Sequence, residues 1–393
     1  MFTGYTTELM DDLRFRWKRM QKDLCETGAD ALLVGTNVNL LYLSGRIFMG
    51  HIYLPAEGEP LFFVRRPGGL TGANVTDIRK PEQLPDLLRD AGITLPGKLL
   101  LESDDLTFSE HARLSAVFPD ALLSNGSNLL RKCRTVKTPY EIRLMKKTGS
   151  RHAAVIAQFA SVYEPGMTDQ QWSVQMFRLM LEAGSLGLFR IAGGSMEGFM
   201  GTILAGDNGG AASPYDFALG GAGLHPSLPV GQSGVKMTGG MAVMVDIAGN
   251  FYGYLTDCTR TFSIGRLQQK AYDAHRLSTD IQQAIAAAGI PGARCEDLYA
   301  LALKMADDAG FADHFMGFAQ KAKFVGHGTG LVINEQPVLG ARSKEMLEAG
   351  MCIALEPKFV LPGTGAVGVE DTFLVTPSGM ENLTPCDPAL HIL

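Results

Sequence analysis

Residues 243–262 read VMVDIAGNFYGYLTDCTRTF. Two acids, Asp246 and Asp257, stand 11 positions apart (257 − 246) in a run that is otherwise mostly apolar, β-branched or aromatic. Met244, Val245 and Ile247 predict a buried strand, Gly249 and Asn250 supply turn residues, and Tyr252, Tyr254, Thr256, Thr259, Thr261 and Phe262 predict a returning strand. The reading is one β-hairpin with a carboxylate on each arm. Carboxylates in such surroundings must be paired, hydrogen-bonded or bound to a cation, so the hairpin requires partners elsewhere in the chain.

Those partners follow from a repeat. In LLRKCRTVKTPYEIRLM (129–145) a basic stretch, read as a domain junction, precedes a helix start, with Thr138 as cap, Pro139 in the first turn and Glu141 completing a capping box. A helix over 139–162 leads to Pro165 and Gly166, and a second helix stops at Ala183 and Gly184. Another pair runs over 267–288 to Pro291 and Gly292 and then to Ala309 and Gly310, so the offset is 126 at both marks (291 − 165 and 310 − 184). Each helix pair is followed by a β-rich segment with two acids, the second set being Glu356 in CIALEPKFV and Glu370 in GAVGVEDTFLV, 14 apart (370 − 356). Duplication of a helix–helix–hairpin unit about a pseudo-twofold axis would bring four carboxylates to one point. His327, between glycines in FVGHGTGLVINEQP, can reach the same place because small neighbours let the backbone come close. Many oxygens and one nitrogen suit two divalent ions better than a structural zinc, and four clustered carboxylates repel and take up protons unless cations neutralise them.

The rest of the chain sets bounds. At 393 residues it is long enough for two or three domains. Residues 8–27 carry Met10, Leu13, Trp17, Met20 and Leu24 at helical spacing before Gly28, and apolar runs at 31–35, around IFMGHIYL, 60–66 and 98–103 alternate with helical stretches near 82–91 and 108–117. That alternation predicts an α/β domain. His51 and His111 lie in it without acidic companions at ligand spacing. A net charge of −6, with no long Lys/Arg run, argues against nucleic acid as a partner. No apolar run reaches membrane-spanning length and no signal-peptide pattern opens the chain, so a cytoplasmic protein without membrane attachment is expected. The six cysteines show no CxxC spacing and are read as reduced, packed residues, Cys258 and Cys352 lying near the acids in sequence.

The segments MVDIAGNFYGYLTDCTRTF, VGHGTGL, LEP and VEDTFLVT together resemble the pita-bread metallopeptidases, among them methionine aminopeptidase, prolidase and Xaa-Pro aminopeptidase. RWKRMQKDL and GADALLVGTNVNLLYLSG resemble the creatinase/prolidase N-terminal domain. The resemblance implies an α/β N-terminal domain over 1–135 and an α+β pita-bread, creatinase/aminopeptidase-like catalytic domain over 136–393 with internal pseudo-twofold duplication. It implies two divalent ions, Mn²⁺ foremost with Co²⁺, Fe²⁺ or Zn²⁺ as alternatives. Asp246 would bind one, Asp257 and Glu370 would bridge, and His327 with Glu356 would hold the other, the pair activating solvent for attack on a peptide bond. Glu356 would shuttle protons, and His225, in GAGLHPSLP, would contact substrate and stabilise the intermediate. A homodimer is also implied.

Two departures bear on substrate. Where the family places a second histidine seven residues after the metal histidine, this chain has Asn334; where proline-directed members place an arginine two residues before the last acid, it has Gly368. Asn334 can still hydrogen-bond substrate, whereas glycine offers no side chain; Arg342 is a candidate for holding a substrate carboxylate. The expected activity is hydrolysis of small peptides, of the Xaa-Pro aminopeptidase or dipeptidase kind. The alternatives are the same metal site acting on a non-peptide small amide or zwitterion, and a non-catalytic binding protein.

Overall fold

The computed structural model describes residues 1–191, 200–215 and 217–393. The chain divides into two compact units, Met1–Arg134 and Thr135–Leu393.

In the first unit Thr6 caps the helix Thr7–Glu26, whose Leu13, Trp17, Met20 and Leu24 are buried at steps of three and four. A six-stranded mixed sheet runs in the order Val75–Asp77, Leu61–Arg66, Met49–Pro55, Ala31–Val34, Lys98–Leu101, Leu122–Asn125. The end strands Val75–Asp77 and Leu122–Asn125 were not expected: they are short and partly exposed, so neither carries a buried apolar run. The stretch read as a junction opens within the helix Ser127–Thr135. Its Leu130 and Cys133 are buried, Arg131 reaches Asp104 at 2.6 Å, and Arg134 is buried with its guanidinium donating to Asn39 Oδ1, so the basic stretch belongs to a helix, and the boundary between the two units falls within it.

The second unit repeats itself. Helices Pro139–Ile156 and Asp169–Glu182 precede the strands of a sheet ordered His391–Ile392, Leu255–Ser263, Ala242–Asn250, Gly201–Ala205. Helices Gln269–Ala288 and Cys295–Asp308 precede a sheet ordered Glu335–Gly340, Phe324–Gly328, Cys352–Leu355, Asp371–Thr376, Gly379–Asn382. The second helix of each pair is displaced by 126 at both ends (295 − 169 and 308 − 182). The residue before each of these helices also makes an equivalent antiparallel bridge, Thr168 with Lys236 and Arg294 with Met346. Each half buries its own core, around Trp172, Met176 and Val245 in the first and Ile281, Leu298 and Ile353 in the second. The capping box at Thr138 and Glu141 forms as expected, but the first helix of the unit ends at Ile156 and a 3₁₀ turn covers Phe159–Val162.

The acid-bearing hairpin of the first half pairs from Ala242 with Ser263 to Asn250 with Leu255, so its turn is Phe251–Tyr254 and not Gly249–Asn250. Gly253 supplies the left-handed turn residue at φ 83°. Gly249 is glycine for another reason, since a Cβ there would lie 2.6 Å from the buried His152 ring.

Candidate metal centre

Asp246 pairs with Thr259, and Ala248 with Asp257. Opposite residues of an antiparallel ladder share a face, as do residues two apart on one strand, so both acids leave the hairpin on the same side. Glu356 and Glu370 come from a different arrangement. They sit where the ladder of Cys352–Leu355 with Asp371–Thr376 gives way to that of Lys358–Leu361 with Gly365–Gly368. The two halves meet there: Thr259 N donates to Glu370 O at 3.2 Å and Glu370 N to Thr259 O at 3.1 Å. Thr259 Oγ1 donates to Glu370 Oε2 at 2.8 Å, and Thr372 binds the Asp257 main chain. Arg260, 1% exposed, donates to Glu370 O at 2.8 Å and pairs with Asp371 at 2.7 Å, fixing the backbone behind Glu370.

The structure brings together all five residues expected to meet. Asp246, Asp257, His327, Glu356 and Glu370 line one pocket with Asn334, beneath apolar walls from Phe189, Phe217, Phe324, Ile333 and Val338. His327 Nε2 stands 3.4 Å from Glu356 Oε1. Asp257, His327 and Glu370 each offer a ligand atom within 4.8 Å of the others, the separation a single metal ion needs. Glu370 Oε1 is buried and has no hydrogen-bond partner, which is costly for a carboxylate oxygen unless a cation meets it. The donor set therefore fits a divalent ion.

The sequence reading missed Lys358. Its ammonium, with a side chain 0% exposed, lies 3.0 Å from Asp246 Oδ2, 2.8 Å from Glu356 Oε2 and 2.8 Å from Glu370 Oε2. A signal was present: Lys358 interrupts the apolar run CIALEPKFVL two residues after Glu356, and a buried lysine requires acids. Burial drives the carboxyl of Asp257 well above the usual range, reinforced by the charges of Glu370 and Asp246. Burial also raises Asp246 and Glu370, with Lys358 opposing the rise in both. Burial works against the Lys358 ammonium, yet Asp246, Glu356 and Glu370 outweigh it and hold its pKa well above the ordinary value.

Two expected substrate contacts lie elsewhere. His225 is exposed on a turn, its Nδ1 2.8 Å from Ser227 Oγ, and it is not among the described residues lining the pocket. Arg342 is exposed beyond the end of Glu335–Gly340 and does not line the pocket either. Gly368 stands directly across the ladder from Lys358, with φ 152° and no room for a side chain: a Cβ would approach Pro357 O to 2.6 Å.

A duplicated α+β unit of the pita-bread type, following an α/β unit and carrying an acid–histidine cluster, defines a creatinase/aminopeptidase-like protein. Residues 143–377 match the model of metallopeptidase family M24 and residues 16–136 that of the creatinase/prolidase N-terminal domain. The chain belongs to metallopeptidase family M24. It is 27% identical over 387 residues to a Bacillus subtilis protein described as uncharacterized peptidase YqhT, covering 94% of this chain and 97% of that one. It is 27% identical over 295 residues to the Xaa-Pro dipeptidase of Lactobacillus helveticus, covering 75% of this chain and 72% of the relative. Among solved structures, an Xaa-Pro dipeptidase from Bacillus anthracis superposes with a TM-score of 0.80 at 23% identity, over 97% of this chain and 100% of the other, which shows the shared fold.

Proposed function

We propose that this metallopeptidase hydrolyses small peptides at Xaa-Pro bonds, as an Xaa-Pro dipeptidase or aminopeptidase. The observation that carries the reading is the convergence of Asp246, Asp257, His327, Glu356 and Glu370 on the floor of one apolar-walled pocket. These five residues form the donor set of the metal centre, for which Mn²⁺ is foremost, with Co²⁺, Fe²⁺ and Zn²⁺ as alternatives. A bound divalent ion supplies Lewis acidity toward the peptide carbonyl and activates solvent. The chain's own groups supply the rest. The carboxylate of Glu356, 3% exposed and open to the pocket, carries the proton from solvent to the leaving amine. The acidic floor favours a peptide's free α-ammonium, and the phenylalanine walls take apolar side chains and exclude water. Asn334, on the pocket wall, hydrogen-bonds the substrate. The relative named as an Xaa-Pro dipeptidase supports the substrate class. The resemblance supports a homodimer. Six unpaired cysteines suit a reducing, cytoplasmic setting.

A second reading keeps the metal and changes the substrate to a small amide or zwitterion. The pocket wall favours its small-amide form: no Lys or Arg is among the described lining residues, so these give the carboxylate of a dipeptide or of a zwitterion no cation. A panel of Xaa-Pro dipeptides, longer Xaa-Pro peptides and non-peptide small amides separates the readings. Cleavage of the Xaa-Pro peptides supports the first. Activity on the non-peptide amides alone supports the second. Asn334→His sharpens the result, raising Xaa-Pro turnover under the first reading and lowering turnover of the true substrate under the second, with metal content unchanged in both.

A further inference from the structure

The ammonium of Lys358 has three protons and meets three carboxylate oxygens, on Asp246, Glu356 and Glu370, at 2.8–3.0 Å. That is a complete hydrogen-bonding shell for a lysine. These acids include one expected at each of two cation positions, Asp246 at one and Glu356 at the other, together with a bridging residue. A divalent ion bonds carboxylate oxygens at about 2.0–2.2 Å. An ion bound to the same three oxygens would stand against Nζ, so the ammonium and that ion exclude one another.

The lysine is held in place by its backbone. Met316 N donates to Lys358 O at 2.8 Å, and the ladder sets Lys358 opposite Gly368. Gly368 occupies the position where the resemblance expects an arginine, and it contributes no side chain to that face. What Lys358 leaves over is the group of Asp257, His327 and Glu370, whose ligand atoms lie within 4.8 Å of one another, and the buried, unpartnered Glu370 Oε1.

We propose that Lys358 is a built-in cation of this centre, filling one of its two cation positions, so that each chain binds one divalent ion, at Asp257, His327 and Glu370. The proposal rests on the cluster being a metal centre. It makes the resident lysine, and not a second metal ion, the partner of Asp246.

The test counts metal in the full-length protein. Wild type and Lys358→Ala are loaded with Mn²⁺, freed of excess, and their manganese is measured by mass spectrometry against protein concentration. The expected result is one ion per chain in wild type and two in Lys358→Ala, a twofold rise. Two ions in wild type, or one in both proteins, overturns the proposal. Should Lys358→Ala not fold, an anomalous difference map of manganese-loaded wild-type crystals decides alone: one peak beside Asp257 with Lys358 Nζ on the three carboxylates supports it, and two peaks overturn it. Failure of the lysine assignment is distinguishable from failure of the functional reading. A wild type with two ions that cleaves Xaa-Pro peptides removes only the former, whereas a wild type with no ion and no hydrolysis removes both.

Discussion

The two acid-bearing segments of the second unit descend through the same order of helices and strands, yet they deliver their carboxylates differently. In the first half, Asp246 and Asp257 project from one unbroken ladder, where the pleat alone determines that they share a face. In the second half, Glu356 and Glu370 sit at a break between two ladders, and the strand that follows the break carries Lys358 into the cluster. A regular ladder can repeat a pattern of acids, whereas an interrupted one can add a group of opposite charge. The asymmetry lies in the half that also supplies His327.

The largest effect should come from the acid at the junction of the halves. Glu370 touches Lys358 and Thr259 and has one orphaned oxygen. Glu370→Gln is expected to lower hydrolysis by about 10³-fold or more, roughly 4 kcal/mol of transition-state stabilisation, together with loss of bound metal. Steady-state kinetics with metal analysis of the same sample checks both. Retention of full metal content by this variant would show that Glu370 is not among the residues that hold the ion.

Arg260 tests the contact between the halves from the other side. It reaches from the first hairpin to Asp371 and to the Glu370 carbonyl, and both side chains of the ion pair are nearly inaccessible. Arg260→Met leaves Asp371 buried and unpaired, and is expected to cost about 3–5 kcal/mol of stability, read from denaturant unfolding of the metal-loaded protein.

How much of this was legible in the sequence differs between the same two regions. Asp246 and Asp257 could be placed because period-two alternation fixes side-chain direction along a regular strand. The turn between them could not: Gly249 and Asn250 have turn chemistry, but Gly249 serves close packing on His152 and the reversal falls at Gly253. Glu356 and Glu370 were legible as acids in apolar runs. Lys358 is equally visible as a charge in an apolar run, but acids that metal already accounts for give no sign that they also need a lysine. His225 rests on resemblance and Arg342 on its charge alone, and both stand on exposed, irregular backbone where spacing carries no directional information. The helix Ser127–Thr135 was hidden by its basic residues, of which Arg131 and Lys132 reach solvent while Arg134 is buried.

The smallest effect concerns pH and belongs to the first half. His152, on Pro139–Ile156, is fully buried behind the hairpin, with Nδ1 3.1 Å from Thr256 Oγ1 and Nε2 unpartnered. Burial, aided by the charge of Arg260, lowers its pKa to about 3. Because the folded pKa lies below the unfolded value of about 6.5, the unfolded chain binds the extra proton first, and stability falls as pH drops below that value. From pH 7 to pH 5 this amounts to about 2 kcal/mol. Urea unfolding at the two pH values should show that loss in wild type and a smaller one in His152→Gln. An equal loss in both would place the acid sensitivity elsewhere.

Whether the paired hairpins form a working metal centre is tested most directly by removing and restoring the metal. Purified protein is treated with a chelator, shown to be metal-free, and assayed on an Xaa-Pro dipeptide before and after addition of Mn²⁺. The expected result is loss of hydrolysis on chelation and recovery on addition of the ion. Undiminished hydrolysis by the metal-free protein would contradict the account.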